Sequence, residues 1–314
     1  MVTTLSKTAI LFPGQASQYV GMGQDLYQAS ADVRRLYELA SGELDADITR
    51  ISFEGPADEL KRTRFTQPAI LLHSLAVLIV LGENLPQFDY ACGHSLGEYA
   101  ALAATGALSF DDAVRAVVRR ATLMEQACEQ NQGTMAAIIG LNEQQVVDIC
   151  AKASINGIVI PANHNSMIQI AISGSLPAVE KAVALAKEAG AKRAMLLEVG
   201  GAFHSPLMEP ARGGLREYLK SIDIKSPRHP VVANVTAQPS DGAEHIRSLL
   251  VDQVAAPVRW MQTMQFLKDN GVTSTIEIGP GKVLTGLARR DMKPEKTTVL
   301  DRLTDIETFA AATA

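Results

Sequence analysis

Short apolar segments that end in glycine turns alternate along this chain with longer segments of helical periodicity. Three short segments have the pattern of buried strands, namely 8–14, 88–94 and 274–281. Helical spacing is clearest in 110–128, where apolar residues recur every three or four positions. Because strands and helices that alternate in this way fold into sheets covered by helices, the pattern predicts the α/β class.

The middle of the chain follows a different order of elements. Strand and helix patterns occur there in the order 134–140, 142–153, 157–165, 167–174, 177–190 and 192–199. This β-α-β-β-α-β order is that of the ferredoxin-like unit. We therefore expect a small subdomain at 130–199, inserted into a large one formed by 1–129 and 200–314. Ligand clefts favour such interfaces.

One apolar run raises the question of a membrane span. Segment 69–82 is interrupted by His73 and Ser74, and it is shorter than the roughly 20 residues that a spanning helix needs. We expect a buried helix and no membrane association. The first residues are too weakly charged and too short for a secretory signal, which favours a cytoplasmic protein.

Composition narrows the classes of function. With 47% apolar and 20% charged residues, the 314-residue chain is typical of globular proteins. A net charge of −5 without a basic run argues against nucleic acid as a partner. The cysteines show neither disulfide nor metal-ligand spacing, so we expect reduced thiols and no metal.

The segment 91-ACGHSLGEYAALAATGAL-108 has the pattern of a nucleophile elbow. In this turn a serine, here Ser95, sits between a strand and a helix, and the glycines Gly93 and Gly97 avoid side-chain clashes. The free N–H groups at the helix start suit a developing oxyanion. The alternative is a Gly-Ser turn that merely caps a packed helix.

A nucleophilic serine needs a base, and the six histidines compete for that role. His204 is the best candidate, because it lies in the glycine-rich connection 199–210 that returns to the large subdomain. His164 stays possible, whereas strand alternation should turn the ring of His94 away. The alternative for His204 is a capping or packing role. No acidic residue between Ser95 and His204 has a suitable turn context, which favours a dyad oriented by a neutral group.

An arginine pair interrupts the apolar helix 110–128. Helical phase puts Arg120 beside Val117 and Met124 on the inner face, and Arg119 on the solvent side. An inner-face guanidinium needs an anionic partner. That partner is either a carboxylate of the protein, in a structural salt bridge, or a carboxylate of the substrate, held in a bidentate clamp.

Several motifs, taken together and in order, resemble those of the malonyl-CoA:acyl carrier protein transacylases, which are similar in turn to the acyltransferase domains of fatty acid and polyketide synthases. The resemblance covers nearly the whole chain. The motifs that carry it are 12-FPGQASQYVGMG-23, 65-FTQPA-69, 93-GHSLGEYAAL-102, 119-RRATLM-124, 163-NHNSMIQIAISG-174, 202-AFHSPLM-208, 253-QVAAPVRW-260 and 277-EIGPGKVLTGLARR-290.

The resemblance implies roles for the residues around the serine. It makes Ser95 the nucleophile and His204 the base, with Gln253 holding the histidine through its backbone carbonyl. Gln15 and Leu96 supply the oxyanion-hole amides. For the fold, it implies that the large subdomain is α/β-hydrolase-like and agrees with a ferredoxin-like insertion.

The resemblance also implies a substrate pocket. Arg120 binds the free malonyl carboxylate, Asn163 lies near the acyl or pantetheine path, and Phe203 narrows the pocket against a branched acyl group. The sequence departs from the family pattern at Ala16, where glycine is usual, and at 167–168, where Met-Ile replaces Pro-Gly. The change at Ala16 is small, and the change at 167–168 concerns one wall of the cleft.

The reaction that the resemblance implies is ping-pong transfer of a malonyl group from malonyl-CoA to acyl carrier protein, without a metal or other cofactor. We expect a monomer, with Lys282, Arg289 and Arg290 as candidates for carrier docking. The alternatives are an acyl-thioester hydrolase, a free-standing acyltransferase of a polyketide pathway and a carrier-binding module without catalysis. The sequence does not distinguish the fatty acid from the polyketide pathway.

Overall fold

A computed structural model of the protein describes residues 6–313 and contains two β-sheets with helices packed on them. The elements are, in chain order, β1 (Lys7–Phe12), α1 (Gln24–Ala29), α2 (Ala31–Leu44), α3 (Ile48–Glu54), α4 (Ala57–Leu60), α5 (Thr63–Leu81), β2 (Tyr90–Gly93), α6 (Gly97–Ala104), α7 (Phe110–Gln130), β3 (Thr134–Ile139), α8 (Glu143–Ala153), β4 (Val159–Ser166), β5 (Gln169–Gly174), α9 (Leu176–Glu188), β6 (Arg193–Leu196), α10 (Glu209–Leu219), β7 (Val231–Val232), α11 (Gly242–Gln253), α12 (Trp260–Asp269), β8 (Val272–Ile278), α13 (Val283–Asp291), β9 (Lys296–Leu300) and α14 (Leu303–Thr313).

The larger sheet is parallel, with strand order β7-β2-β1-β8-β9. Its central strand β1 is apolar on both faces, as expected for a parallel strand covered by helices on both sides. Ile10 and Phe12 belong to a large core with residues of α5, α6 and α7. Ala9 and Leu11 belong to a second core with residues of α12 and α13. This alternation explains the apolar segments seen in the sequence.

Helix α5 contains the longest apolar run. Among the described residues, the helical stretch Thr63–Asn84 is long and apolar enough to cross a membrane. However, 83% of its most apolar 18-residue segment is buried inside the molecule. Core helices of soluble proteins have this character. The placement agrees with the buried helix that the sequence predicts, including His73, which is fully buried.

The smaller sheet is antiparallel, with strand order β4-β5-β3-β6. Helices α8 and α9 pack on it around an apolar core of its own, which includes Ile138, Val146, Ile172 and Val179. The β-α-β-β-α-β order predicted from the sequence is therefore present. The last strand is shorter than the predicted 192–199 and ends at Leu196. The boundaries at residues 130 and 199 stay a prediction.

The small subdomain is joined to the large one by backbone hydrogen bonds as well as by the chain itself. The N–H of Val258 donates to the carbonyl of Ala162 across 2.8 Å, and the N–H of His164 donates to the carbonyl of Val258 across 2.9 Å. Asn163 of β4 thereby pairs in parallel with Val258, in the segment that follows α11. This junction fixes one wall of the cleft between the two sheets.

Candidate active site

Ser95 occupies a sharp turn between β2 and α6. Its φ is +52°, in the left-handed region that a residue with a side chain rarely adopts. Such strain is typical of functional sites that the surrounding structure holds in place. The turn brings the start of α6 to the cleft, where the backbone N–H of Leu96, which follows the serine, has no hydrogen-bond partner among the described residues.

The two glycines of the turn are required by close backbone contacts. A Cβ on Gly93 would lie 2.0 Å from the carbonyl carbon and oxygen of Gly97. A Cβ on Gly97 would lie 2.3 Å from the carbonyl oxygen of Phe12 in β1. No side chain fits at either place, because the obstructing atoms are backbone. The geometry is that of an elbow and excludes an ordinary capping turn.

His204 forms a dyad with the serine. Its Nε2 lies 2.8 Å from Ser95 Oγ, and its Nδ1 lies 2.8 Å from the backbone carbonyl oxygen of Gln253. Because a carbonyl only accepts, Nδ1 carries the proton and Nε2 is free to accept from the serine hydroxyl. A neutral carbonyl therefore orients the imidazole. The other open candidate, His164, lies 3.2 Å from Glu143 in the small subdomain and does not contact Ser95.

The surroundings of His204 keep its ring neutral. Burial, and next to it the charge of Arg120, lower the pKa of His204 to about 3, while the carbonyl of Gln253 opposes the shift. The ring is 3% exposed. An imidazole that is unprotonated near neutral pH is available as a general base.

Arg120 extends from α7 into the same cleft and is 1% exposed. Its Nη2 donates to Ser95 Oγ across 3.1 Å and to Gln253 Oε1 across 2.9 Å, and its Nη1 donates to Gln67 Oε1. Within residues 6–313 no carboxylate forms an ion pair with Arg120, and its Nε–H has no hydrogen-bond partner. Burial lowers its pKa. The structural salt bridge is therefore wrong, and an anion from solution would complete the site.

Two backbone amides suit the oxyanion. Gln15 and Leu96 line the same cleft as Ser95. In the described part of the chain, neither of their N–H groups donates a hydrogen bond. The N–H of Ser95 is not available, because it donates to Asn234 Oδ1 across 2.7 Å. Unpaired backbone donors, here one in the loop after β1 and one at the start of α6, are the groups that stabilise a tetrahedral oxyanion.

The cleft has a volume of about 240 Å³ and is lined by both subdomains. Asn163 and Phe203 line it, as the resemblance implies, and the buried Oδ1 of Asn163 has no partner among the described residues. The expectation that His94 turns away is wrong, because its ring also lines the cleft and its Nε2 lies 2.9 Å from Asn165 Oδ1. His94 follows the last residue of β2, where strand alternation no longer governs side-chain direction.

Three polar residues of the site were not identified from the sequence. Asn234 holds the serine turn, Gln67 accepts from Arg120, and Glu98 is a buried carboxylate behind the serine. Glu98 carries a signal in retrospect, since it is an acidic residue in the first turn of an otherwise apolar helix. Asn234 lacks such a signal, because its partners are distant in sequence, whereas Gln67 lies in 65-FTQPA-69, one of the motifs that carry the family resemblance.

Potential metal ligands do not cluster in the described part of the chain. Residues 6–313 contain no group of three or more histidine, cysteine or acidic side chains that could hold a metal ion. Cys92, Cys128 and Cys150 are free thiols. The groups that the cleft offers for chemistry are the serine, the imidazole, the guanidinium and the backbone amides.

Comparisons with known proteins agree with this geometry. A model of the acyl transferase domain matches residues 10–305. The malonyl CoA-acyl carrier protein transacylase of Bacillus subtilis (strain 168) is 44% identical over 304 residues, which cover 96% of each chain. The chain belongs to the malonyl-CoA:acyl carrier protein transacylase family. The transacylase of Staphylococcus aureus (strain MRSA252) is 41% identical over 96% of this chain and 98% of its own.

Solved structures of this transacylase family have the same fold. The malonyl CoA-acyl carrier protein transacylase of Coxiella burnetii superposes with a TM-score of 0.92 at 37% identity, covering 98% of this chain and 97% of that one. A malonyl-transacylase in complex with a type II polyketide synthase acyl-carrier protein superposes with a TM-score of 0.92 at 39% identity. The match covers 98% of this chain and 100% of that one. The predicted α/β class, with an α/β-hydrolase-like large subdomain and a ferredoxin-like small one, is confirmed.

Proposed function

We propose that the protein transfers the malonyl group of malonyl-CoA to the phosphopantetheine thiol of an acyl carrier protein. One observation carries the proposal: Ser95 Oγ lies 2.8 Å from the base His204 and 3.1 Å from Arg120, a buried guanidinium without a carboxylate partner among the described residues. A nucleophile beside an unpaired buried cation suits an acyl group that itself carries a carboxylate.

In the first half-reaction, Ser95 attacks the thioester carbonyl while His204 Nε2 accepts the hydroxyl proton. The C–O bond to serine forms, and the carbonyl electrons move to an oxyanion that the N–H groups of Gln15 and Leu96 stabilise. Removal of one such donor typically costs about 3 kcal/mol of transition-state stabilisation. The C–S bond then breaks, and the CoA thiolate receives the proton held by His204.

Arg120 supplies selectivity in this scheme. The carboxylate of a malonyl-serine ester satisfies the guanidinium, whereas an acetyl ester leaves it buried without an anion. An uncompensated buried charge costs on the order of 3 to 5 kcal/mol. This exceeds what a methyl-sized difference in an apolar pocket provides. Phe203, which is 4% exposed, adds a steric limit on branched acyl groups.

The second half-reaction repeats the steps with a different thiol. His204 removes the proton from the carrier's phosphopantetheine thiol, whose sulfur attacks the ester carbonyl. The C–O bond to Ser95 breaks, and the serine oxygen takes back the proton from His204. Carrier and product then dissociate, and the free enzyme is regenerated. A relative of 39% identity is a malonyl-transacylase in complex with a carrier protein, which supports the choice of acceptor.

We also propose that the reaction needs no metal ion or redox cofactor and that the enzyme works as a monomer in the cytoplasm. Acyl transfer moves only protons and an acyl group, and serine, histidine and backbone amides suffice for both. Transfer rates that are unchanged by a chelator, and a sedimentation mass of one chain at assay concentration, are the expected results.

Intact mass spectrometry tests the proposed function. We expect malonyl-CoA to add one malonyl group to the wild-type protein and none to Ser95→Ala. Added holo acyl carrier protein should then take the label from the enzyme. Label released to water at the same rate, with or without the carrier, would identify an acyl-thioester hydrolase instead. A protein that takes no label would be a binding module.

A further inference from the structure

One buried carboxylate of the site has no part in the mechanism above. Glu98 lies in the first turn of α6, directly behind the nucleophile, and is 3% exposed. A carboxylate in this position is costly to desolvate unless several donors satisfy it. Its Oε2 accepts two hydrogen bonds, one from the N–H of Asn234 at 2.9 Å and one from Gln253 Nε2 at 2.8 Å.

Gln253 links this carboxylate to two functional groups of the site. Its side-chain Oε1 accepts from Arg120 Nη2 across 2.9 Å, and its backbone oxygen lies 2.8 Å from His204 Nδ1. Its Nε2 also donates to the carbonyl of Ser95 across 3.1 Å. One residue therefore orients the base and the guanidinium, and Glu98 holds that residue.

Asn234 links the same carboxylate to the nucleophile. Its Oδ1 accepts from the N–H of Ser95 across 2.7 Å, and its Nδ2 donates to the carbonyl of Gly93 across 2.7 Å. These two hydrogen bonds hold the turn in which Ser95 has its strained φ of +52°. The N–H of Asn234 is fixed by Glu98, so the carboxylate supports the turn indirectly.

When it is ionised, Glu98 helps to set which way the Gln253 amide faces, together with Arg120, which only donates, and the carbonyl of Ser95, which only accepts. A carboxylate only accepts, so it requires the Nε2 end of the amide and leaves Oε1 for Arg120. A flipped amide would set an N–H donor against the guanidinium. The amide also separates the anion from the cation. Glu98 thereby balances part of the charge of Arg120 without occupying the edge on which a substrate carboxylate would bind.

We propose that Glu98 is a positioning residue for acyl transfer, which acts through Gln253 on His204 and Arg120 and through Asn234 on Ser95. The inference rests on the proposed function, because it concerns the same acylation of Ser95. It differs from a purely structural role in its consequence: loss of Glu98 slows acylation in protein that is still folded, for malonyl and acetyl donors alike.

The experiment compares single-turnover acylation of Ser95 in Glu98→Ala, Glu98→Gln and Leu102→Ala, using malonyl-CoA and acetyl-CoA as probes. Leu102 is 1% exposed on the same helix, and its side chain lies outside the hydrogen-bond network. Leu102→Ala therefore serves as a control for a loss of folding stability without a loss of hydrogen bonds at the site. We expect Glu98→Ala to acylate about 10 to 100 times more slowly with both donors, the effect of leaving buried donors unsatisfied. Leu102→Ala should keep the wild-type rate per folded molecule.

Glu98→Gln keeps an accepting oxygen but not the charge that strengthens the hydrogen bond from Gln253. We expect a loss of about 3 to 10 times, intermediate between wild type and Glu98→Ala, as charge-assisted bonds become neutral ones. If Glu98→Ala does not fold, the acylation rate of Glu98→Gln tests the proposed role of Glu98. Wild-type acylation rates in folded Glu98→Gln, or in folded Glu98→Ala, would overturn the inference. A wild-type protein that malonyl-CoA does not acylate would instead overturn the proposed function.

Discussion

Arg120 Nη2 donates a hydrogen bond to Ser95 Oγ across 3.1 Å, so the guanidinium touches the atom on which the acyl group would be carried. The cation is buried, and among the described residues no carboxylate pairs with it. An acyl group bound to Ser95 therefore begins within reach of the cation. A carboxylate two bonds beyond its carbonyl carbon would give the guanidinium an anionic partner, whereas a methyl group would not.

Arg120→Ala should reverse the preference for malonyl over acetyl donors. Malonyl transfer loses its charge-assisted partner, while acetyl transfer no longer leaves a buried cation unpaired. We expect the ratio of kcat/KM for malonyl-CoA to kcat/KM for acetyl-CoA to fall by on the order of 10² to 10³. Steady-state transfer to holo carrier protein measures both values.

The neighbouring Arg119 provides the matched control. It lies on the exposed side of the same helix, with its guanidinium 5.9 Å from the ring centre of Tyr218. Arg119→Ala removes an equal charge one residue away and should leave the ratio unchanged. Equal effects of the two substitutions would show that general electrostatics, rather than a contact with the acyl carboxylate, governs selectivity.

His204 should remain neutral from pH 5 to 8. Burial and the charge of Arg120 lower its pKa to about 3, so the free enzyme has an unprotonated imidazole from pH 5 to 8. NMR of protein with labelled histidine should show one ring in the Nδ1–H tautomer over this range. His204→Gln assigns the signal, and a cationic ring at pH 6 would contradict the expectation.

The lowered pKa of His204 also makes the stability of the fold depend on pH. The unfolded chain takes up a proton on His204 below the ordinary histidine pKa of 6.5, whereas the folded protein does so only near pH 3. The stability of the folded state is therefore complete above pH 6.5 and decreases as the pH falls from there toward 3. His204→Gln should show a weaker loss of stability between these limits in denaturant titrations.

The parts of the site that follow from local sequence were predictable. Ser95 and its glycines lie within five consecutive residues, and their geometry is set by one turn. Arg120 was placed on the inner face by helical phase alone. His204 was chosen by its place in a glycine-rich connection, because the dyad itself joins residues 109 positions apart. Gln15, Leu96, Gln253, Asn163 and Phe203 came from the family resemblance and not from pattern.

The parts that were missed depend on tertiary contacts. Asn234 reaches Ser95 from 139 residues away, two positions after the end of the two-residue strand β7, and no local pattern marks an asparagine there. Glu98 resembles an ordinary acidic residue at a helix start until the packing of α6 shows that it is buried. His94 was misjudged because strand alternation was extended one residue past the end of β2.

Gly93→Ala should prevent folding. The added methyl group would lie 2.0 Å from backbone atoms of Gly97. Neither backbone segment can move away without breaking the turn. Gly42→Ala in α2 is the control, because nothing lies within 4 Å of an added Cβ there. It should stabilise the protein by about 0.5 to 1 kcal/mol. Soluble yield and thermal unfolding measure both, and a Gly93→Ala protein with the wild-type Tm would refute the clash.

Glu98→Gln should gain stability relative to wild type as the pH rises. Burial raises the pKa of Glu98 to about 7, although hydrogen bonds from Asn234 and Gln253 and the charge of Arg120 lower it. In the unfolded chain this carboxyl has the ordinary glutamate pKa of 4.5. The folded protein therefore binds more protons than the unfolded chain between pH 4.5 and 7, and the stability due to this group falls as the pH rises across that window.

The gap between the two pKa values corresponds to about 3 kcal/mol. Glutamine does not titrate, so the difference in free energy of unfolding between Glu98→Gln and wild type should shift by about that amount in favour of the variant between pH 4.5 and 8. Contributions from His204 occur in both proteins and cancel in the difference. Urea unfolding at four pH values measures it, and parallel curves would mean that the carboxyl is already ionised well below pH 7 in the folded protein.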